Sequence, residues 1–279
     1  MNPLLVDAGL VLLGVAVGVF GTLVGAGGGF LLVPVLLLLF PGQPAAALTA
    51  TSLAVVFANS VSGSISYYRL HRGDYRSGWV MGAATVPGAV LGAVAVAYVS
   101  RRLFDPVMGA VLLGLAVFLV ARPEGRRALV AAGPLSVQRR LRDSDGNRYE
   151  YRFNLGLAAA ASLGVGFISS FFGIGGGILH VPLLISFFAF PAHVATATSQ
   201  FVLLIMSAVG TLTHLLRGDL SAPGVGLRTL LLAAGVIAGA PLGAQLSRRV
   251  IDKVIVRLLA GALAVVGVRL LLAPVFGGA

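Results

Sequence analysis

Gly25-Ala26-Gly27-Gly28-Gly29-Phe30-Leu31-Leu32-Val33-Pro34 recurs later in the chain as Gly173-Ile174-Gly175-Gly176-Gly177-Ile178-Leu179-His180-Val181-Pro182. Both copies lie inside long stretches without charge. Ala8 to Tyr68 covers 61 residues with no Asp, Glu, Lys or Arg, and Phe153 to Leu216 covers another 64. At about 1.5 Å per helical residue, each stretch makes roughly 90 Å of helix, about three thicknesses of a ~30 Å hydrocarbon core. Each must therefore turn back on itself. Glycine clusters free backbone N–H and C=O groups, and bare peptide groups in lipid cost several kcal/mol each. Such a break persists only when buried in protein or lining a cavity.

Three further motifs are paired in the same order. Thr49-Ala50-Thr51-Ser52 matches Thr196-Ala197-Thr198-Ser199, Arg72-Gly73-Asp74 matches Arg217-Gly218-Asp219, and Ser100-Arg101-Arg102 matches Ser247-Arg248-Arg249. This predicts a duplicated unit of about 120 residues. The organisation is a first transmembrane repeat (1–121), a polar insert (122–152) and a second transmembrane repeat (153–279). The fold class is an all-α polytopic membrane protein of eight to ten transmembrane segments, with Gly-rich broken helices. Segment 27–40 is short for a spanning helix. If it crosses, each repeat spans five times and the repeats are inverted; if it joins the preceding helix as one broken span, each spans four times and they are parallel. Counting Lys and Arg on each side does not separate the two. The length of the charge-free runs favours the inverted arrangement, common among transporters.

Composition agrees with this class and removes others. The chain of 279 residues is 58% hydrophobic and 10% charged, outside the soluble range. Its 38 glycines show no collagen-like period, and the absence of cysteine removes disulfides, thiolate nucleophiles and cysteine zinc sites. No cofactor and no metal site is expected. The net charge of +11 lies between the apolar runs, where the membrane orientation rule and anionic headgroups explain it, so no nucleic-acid partner is expected. Met1-Asn2-Pro3 lacks the positive leader of a secretory signal and runs into an apolar stretch, which is taken as a retained first helix. The insert carries eight arginines and four acids and belongs on the cytoplasmic side. Its alternation around Asp145-Gly146 reads as a small β-hairpin on the membrane face, a solvated linker before a regulatory element.

The candidate site follows from the breaks. After each glycine cluster a short helix begins, whose free N–H groups and positive dipole end suit an anion without a buried Lys or Arg. Gly25, Gly27, Gly28 and Gly29 with Gly173, Gly175, Gly176 and Gly177 are the backbone part of that site; close helix packing is the competing reading. Pro34 and Pro182 are expected to kink or end the short helices. Thr49, Thr51, Ser52, Thr196, Thr198 and Ser199 follow Pro44 and Pro191 in the first turns of the next helices, where hydroxyls cap the helix or donate to a bound oxyanion. Asn59, Gln200 and His180 break the repeat, as do His193 and His214, and are candidates for substrate discrimination or proton relay.

The paired Gly-x-Gly-Gly-Gly segments followed by Val-Pro, the paired Thr-x-Thr-Ser segments and the arginine-bearing loops resemble the TauE/SafE family, the sulfite exporter family of bacterial and archaeal membrane proteins. The resemblance covers essentially the whole chain. It implies a multi-pass permease of the prokaryotic plasma or inner membrane for a small anion such as sulfite, a sulfonate or an organic anion, with the glycine and Thr/Ser motifs lining the path. A proton or sodium ion is the candidate coupling partner. The insert is longer and more polar than a minimal family linker. An anion channel uses the same groups without alternating access. A membrane-embedded enzyme acting on a lipid-linked phosphate needs intramembrane carboxylates or a nucleophile with its base. Asp7, at the edge of a run, is the sole acid within the long apolar stretches, which argues against an enzyme.

Overall fold

A computed structural model describes residues 3–40, 42–121 and 133–247, and within the last segment 257, 260, 261, 263–265 and 267–271. The first part of the insert (122–132), Arg248 and Arg249 of the fourth paired motif, and parts of the final apolar stretch lie outside the described residues. The chain is mostly helical. Its elements are α1 (Pro3–Leu23), α2 (Gly29–Leu39), α3 (Ala45–Arg69), α4 (Tyr75–Ala95), α5 (Arg101–Val120), β1 (Ser136–Arg142), β2 (Arg148–Asn154), α6 (Leu155–Phe172), α7 (Gly177–Phe187), α8 (Ala192–Leu216) and α9 (Val225–Leu246).

Six of these helices, α1, α3, α4 with the short turn after it, α6, α8 and α9, are long and apolar enough to cross a membrane. The 11-residue helices α2 and α7 are equally apolar but reach only about 16 Å, half a hydrocarbon core. Eight to ten crossings are therefore not reached by spanning helices alone among the described residues. Pro34 and Pro182 lie inside α2 and α7, which continue past them for one more turn. Leu12, Trp79, Leu91, Leu215, Leu227 and Leu230 stand exposed along the spanning helices, as side chains facing lipid would.

Glycines set which helices meet. Gly14 rests on the backbone of Leu232 and Gly235, Gly18 on Val236, Gly239 on Val15 and Gly243 on Val19, so α1 and α9 run parallel at backbone contact. Gly88 on Leu163 and Gly92 on Phe167 place α4 and α6 in the same parallel relation. A Cβ at any of these positions would strike main chain, the close approach that small residues allow between membrane helices. At the centre α3 and α8 are antiparallel, because Gly63 abuts Gln200 whereas Gly210 abuts Leu53. The largest apolar cluster joins Phe30, Leu36, Phe104, Met108, Phe172, Ile178 and Val236, and takes in Ala260, Leu263 and Leu270.

The insert departs from a solvated linker. β1 and β2 form an antiparallel hairpin in register from Ser136↔Asn154 to Arg142↔Arg148. Phe153 is fully buried and Tyr151 nearly so, packed with Phe188 and Phe190 beyond α7 and with Val194 and Val202 of α8. The polar tip docks on the α3–α4 loop. The buried Arg72 guanidinium lies 3.5 Å from Asp143 and 3.1 Å from Asp145, Arg139 lies 3.4 Å from Asp74, and the Tyr151 hydroxyl donates to Asp74 at 3.0 Å. Burial pushes the Asp143 carboxyl up, but hydrogen bonds from Asn147 and Tyr149 and the Arg72 charge outweigh it and hold it below the usual carboxylate range. Burial and the facing Asp74 carboxylate keep the Tyr151 phenol protonated. Alternation alone does not reveal this docking, since the apolar face of a hairpin reads the same whether it lies on lipid or on protein.

Candidate functional site

The two glycine segments meet in the centre of the molecule. They run past each other in opposite directions: Gly29 faces the carbonyl of Gly173, Gly175 faces that of Ala26, and Gly177 faces that of Gly25. Gly25, Gly27 and Gly28 adopt φ of 70°, 73° and 84°, and Gly173 and Gly175 adopt 66° and 72°. These are left-handed conformations that a side chain would strain. Gly176 differs from Gly28 in this respect, with φ of −61° at the start of α7.

Each segment is held by a helix from the other part of the chain. Ser52 of α3 donates to the Gly173 carbonyl at 2.6 Å, and Ser199 of α8 donates to the Gly25 carbonyl at 3.0 Å. Gly173 also packs on Thr49 and Gly25 on Thr196, where an added Cβ would lie 2.8 and 2.6 Å from the threonine Cα. The serines act in trans, and the threonines mostly do not. Thr49 bonds back to the Ala45 and Ala46 carbonyls, Thr51 to Ala47 and Thr196 to His193, and Thr198 accepts from the Asp74 N–H. The residues before α3 and α8 are prolines, and no side chain caps either helix.

The polar residues that break the repeat also divide. Asn59 donates to the Gly27 carbonyl at 3.1 Å and accepts from Thr22 at 3.0 Å, a direct brace on the first break. Gln200 reaches the Asn59 carbonyl at 3.4 Å, and its own side-chain oxygen has no partner among the described residues. His180 is fully buried one turn into α7, with its Nε2 3.0 Å from Ser162. His214 lies away from the breaks at the end of α8, its Nδ1 2.7 Å from Asp219. His193 stands in the first turn of α8.

Backbone donors are distributed unevenly. At the first break the N–H groups of Ala26 and Gly27 both donate to the Gly21 carbonyl, at 2.7 and 3.1 Å. The next three N–H groups there, of Gly28, Gly29 and Phe30, make no hydrogen bond to another described residue, and at the second break the same is true of five, those of Ile174, Gly175, Gly176, Gly177 and Ile178. Several hydroxyls around the site escaped the sequence reading: Thr22, Ser162, Ser169 and Ser170 are all fully buried. Ser162 and Ser169 are seven residues apart on α6, which puts them on one helix face, a spacing that marks them beforehand as facing the same neighbour. The arrangement contains no formal charge and offers hydroxyls, amide groups and unpaired N–H donors, a donor-rich setting for an anion.

The sulfite exporter TauE/SafE profile matches residues 10–270. Among curated proteins, "Probable membrane transporter protein YunE" of Bacillus subtilis (strain 168) is 30% identical over 273 residues, covering 96% of this chain and 98% of that protein. "Probable membrane transporter protein MJ0441" of Methanocaldococcus jannaschii is 26% identical over 277 residues, covering 94% of each. No solved structure matches the chain.

Proposed function

This chain belongs to the sulfite exporter TauE/SafE family, and on that premise we propose that it carries a small sulfur-containing or organic anion, such as sulfite or a sulfonate, across a prokaryotic plasma membrane by alternating access. It is a multi-pass membrane transporter protein by relationship and by its six candidate spans. The observation that carries the site is the reciprocal interlock: the serine of each Thr-x-Thr-Ser segment holds the first glycine of the opposite break. The breaks are thereby kept side by side with their unpaired donors buried, in a protein with no Lys or Arg in either long apolar run.

The same contacts support an inverted duplication. Antiparallel α3 and α8 are the equivalent helices of the two repeats, and α1 with α9 is answered by α6 with α4. These pairs cross between the repeats, so the moving bodies are not the sequence halves themselves. They are the intertwined bundles built on α1 with α9 and on α4 with α6, moving about the central helices and the glycine segments. In this reading an anion enters from one face, is held by N–H and hydroxyl donors, and leaves from the other.

Flux into proteoliposomes tests this. Sulfite, sulfate, sulfoacetate, thiosulfate and small carboxylates are offered with a pH gradient imposed and then collapsed. Saturable uptake of at least one sulfur oxyanion that follows the gradient is expected. Uptake that ignores the gradient and does not saturate points to a channel, and no uptake of any of them contradicts the reading.

A further inference from the structure

The two breaks are alike in sequence but not in what surrounds them. Gly21 of α1 lets the first segment fold tightly back, because a Cβ there would strike the Gly27 and Gly28 main chain, and its carbonyl takes up the Ala26 and Gly27 donors. In the duplicated alignment the position of Gly21 is held in the second repeat by Ser169, that of Gly14 by Ser162 and that of Leu32 by His180. The Ser169 hydroxyl lies 3.4 Å from where a Cβ of Gly176 would stand, and it has no partner among the described residues. The start of α7 thus combines five N–H groups and a fully buried hydroxyl facing Gly176, none of them with a partner among the described residues. The start of α2 also keeps the N–H groups of Gly28, Gly29 and Phe30 without a bond to another described residue, but the two donors before them are taken by Gly21, and the polar side chain that braces this break, Asn59, is spent on the Gly27 carbonyl and on Thr22.

One tautomer of His180 satisfies both contacts of Ser162: the hydroxyl donates to the Ala158 carbonyl at 2.7 Å, and His180 Nε2 donates to the Ser162 oxygen at 3.0 Å. Nδ1 is then a bare lone pair, buried and without a partner among the described residues. A buried acceptor left unpaired one turn along α7 from these donors is a poor arrangement for the empty protein and a suitable one for taking up a proton. Burying an anion without a countercharge is costly, and 153–216, which contains α6, α7 and α8, has no Lys or Arg. Of the neighbours packed on α7, α6 has no titratable side chain, α8 has His193 and His214, and β2 adds Tyr151, whose hydroxyl is committed to Asp74. None of these is hydrogen-bonded to His180.

We infer that the anion is held at the second break alone, by the N–H groups at the start of α7 and the Ser169 hydroxyl, and that His180 takes up a proton with it. This rests on the transport function proposed above and specifies its coupling. A hydronium ion on the loading side gives up the proton, its O–H bond breaking as the Nδ1 lone pair forms the N–H bond and a water is left behind; on the release side the N–H bond breaks and water there accepts the proton. A monovalent anion then crosses with its charge balanced by the imidazolium, and neither repeat has to carry a permanent buried cation.

The test uses the full chain in proteoliposomes with a pH indicator trapped inside and radiolabelled sulfite outside. His180→Gln keeps a side-chain N–H for Ser162 but cannot be protonated. Wild-type flux should rise as the outside pH falls and bring protons in with the anion. His180→Gln should fold and insert as wild type does, lose the pH dependence, and move sulfite at least about tenfold more slowly at acid pH, because the balancing charge is gone. Ser169→Ala should raise the sulfite KM several-fold and leave the proton-to-anion ratio unchanged. If His180→Gln transports with the wild-type pH profile and proton ratio, the proton travels on the anion itself and the inference is overturned, while the transport function stands. Absence of sulfite flux in the wild type overturns the inference, and the oxyanion panel then decides the function separately.

Discussion

Gly175→Leu and Gly27→Leu are each expected to abolish anion flux while leaving the protein inserted in the membrane. Both glycines have left-handed φ, 72° and 73°, so any side chain costs about 1–2 kcal/mol in backbone strain. A Cβ at Gly175 would already lie 3.2 Å from the Ala26 carbonyl and from Val56, and one at Gly27 would meet Val56 and Leu203. The remaining carbons of leucine have no room there, and overpacking of this kind costs about 1–3 kcal/mol. The sum is a fraction of the roughly 5–15 kcal/mol that holds a folded domain together, so insertion survives. The passage between the breaks does not. Gly164→Leu on α6 is the control, because nothing lies within 4 Å of a Cβ at that position. Its flux should equal wild type. Full flux in both break variants would reduce the glycines to packing residues.

Ser52→Ala and Ser199→Ala are expected to destabilise the protein by about 1–3 kcal/mol each, because each removes the donor from a buried carbonyl that has no other donor among the described residues. The two bonds join opposite ends of the paired glycine segments. The double variant should lose both contributions, a large part of the total stability, and unfold well below wild type on heating in detergent micelles. Ser207→Ala separates this from a generic hydroxyl effect. Ser207 donates to the Leu203 carbonyl of its own helix, a bond that already competes with the helix ladder, so its removal should shift the midpoint little. A double Ser52/Ser199 variant that melts with the wild type would show that the interlock does not hold the breaks together.

What could be read from the sequence was whatever is local or periodic. Charge-free runs, matched glycine clusters and the hydroxyls beside them are visible because membrane insertion and duplication act on residue type and spacing. What stayed hidden was which repeat each group serves. Ser52 and Ser199 read as hydroxyls near their own breaks, yet each donates across to the other one, since antiparallel α3 and α8 bring distant segments together. Thr49, Thr51 and Thr196 look like oxyanion donors by type but are spent on their own helix turns. The insert read as solvated because eight arginines dominate its composition, whereas Tyr151 and Phe153 are buried in the core and Val137, Leu141 and Tyr149 pack against the same cluster. Ser169 matters only because Gly21 stands in the corresponding place, a difference whose meaning depends on the backbone bonds at each break.

The most direct measurement exploits the absence of cysteine in this chain. Ser169→Cys introduces one thiol beside Gly176, at a hydroxyl with no partner among the described residues. A membrane-impermeant thiol reagent is applied from one face of oriented membrane vesicles and then, separately, from the other. If the glycine breaks form the alternating anion path, the thiol reacts from both faces, and a transported anion that does not itself consume the reagent, chosen from the sulfonates and carboxylates of the flux panel, slows the reaction. A thiol that never reacts from either face, or reacts at a rate no anion alters, would contradict the placement of the path.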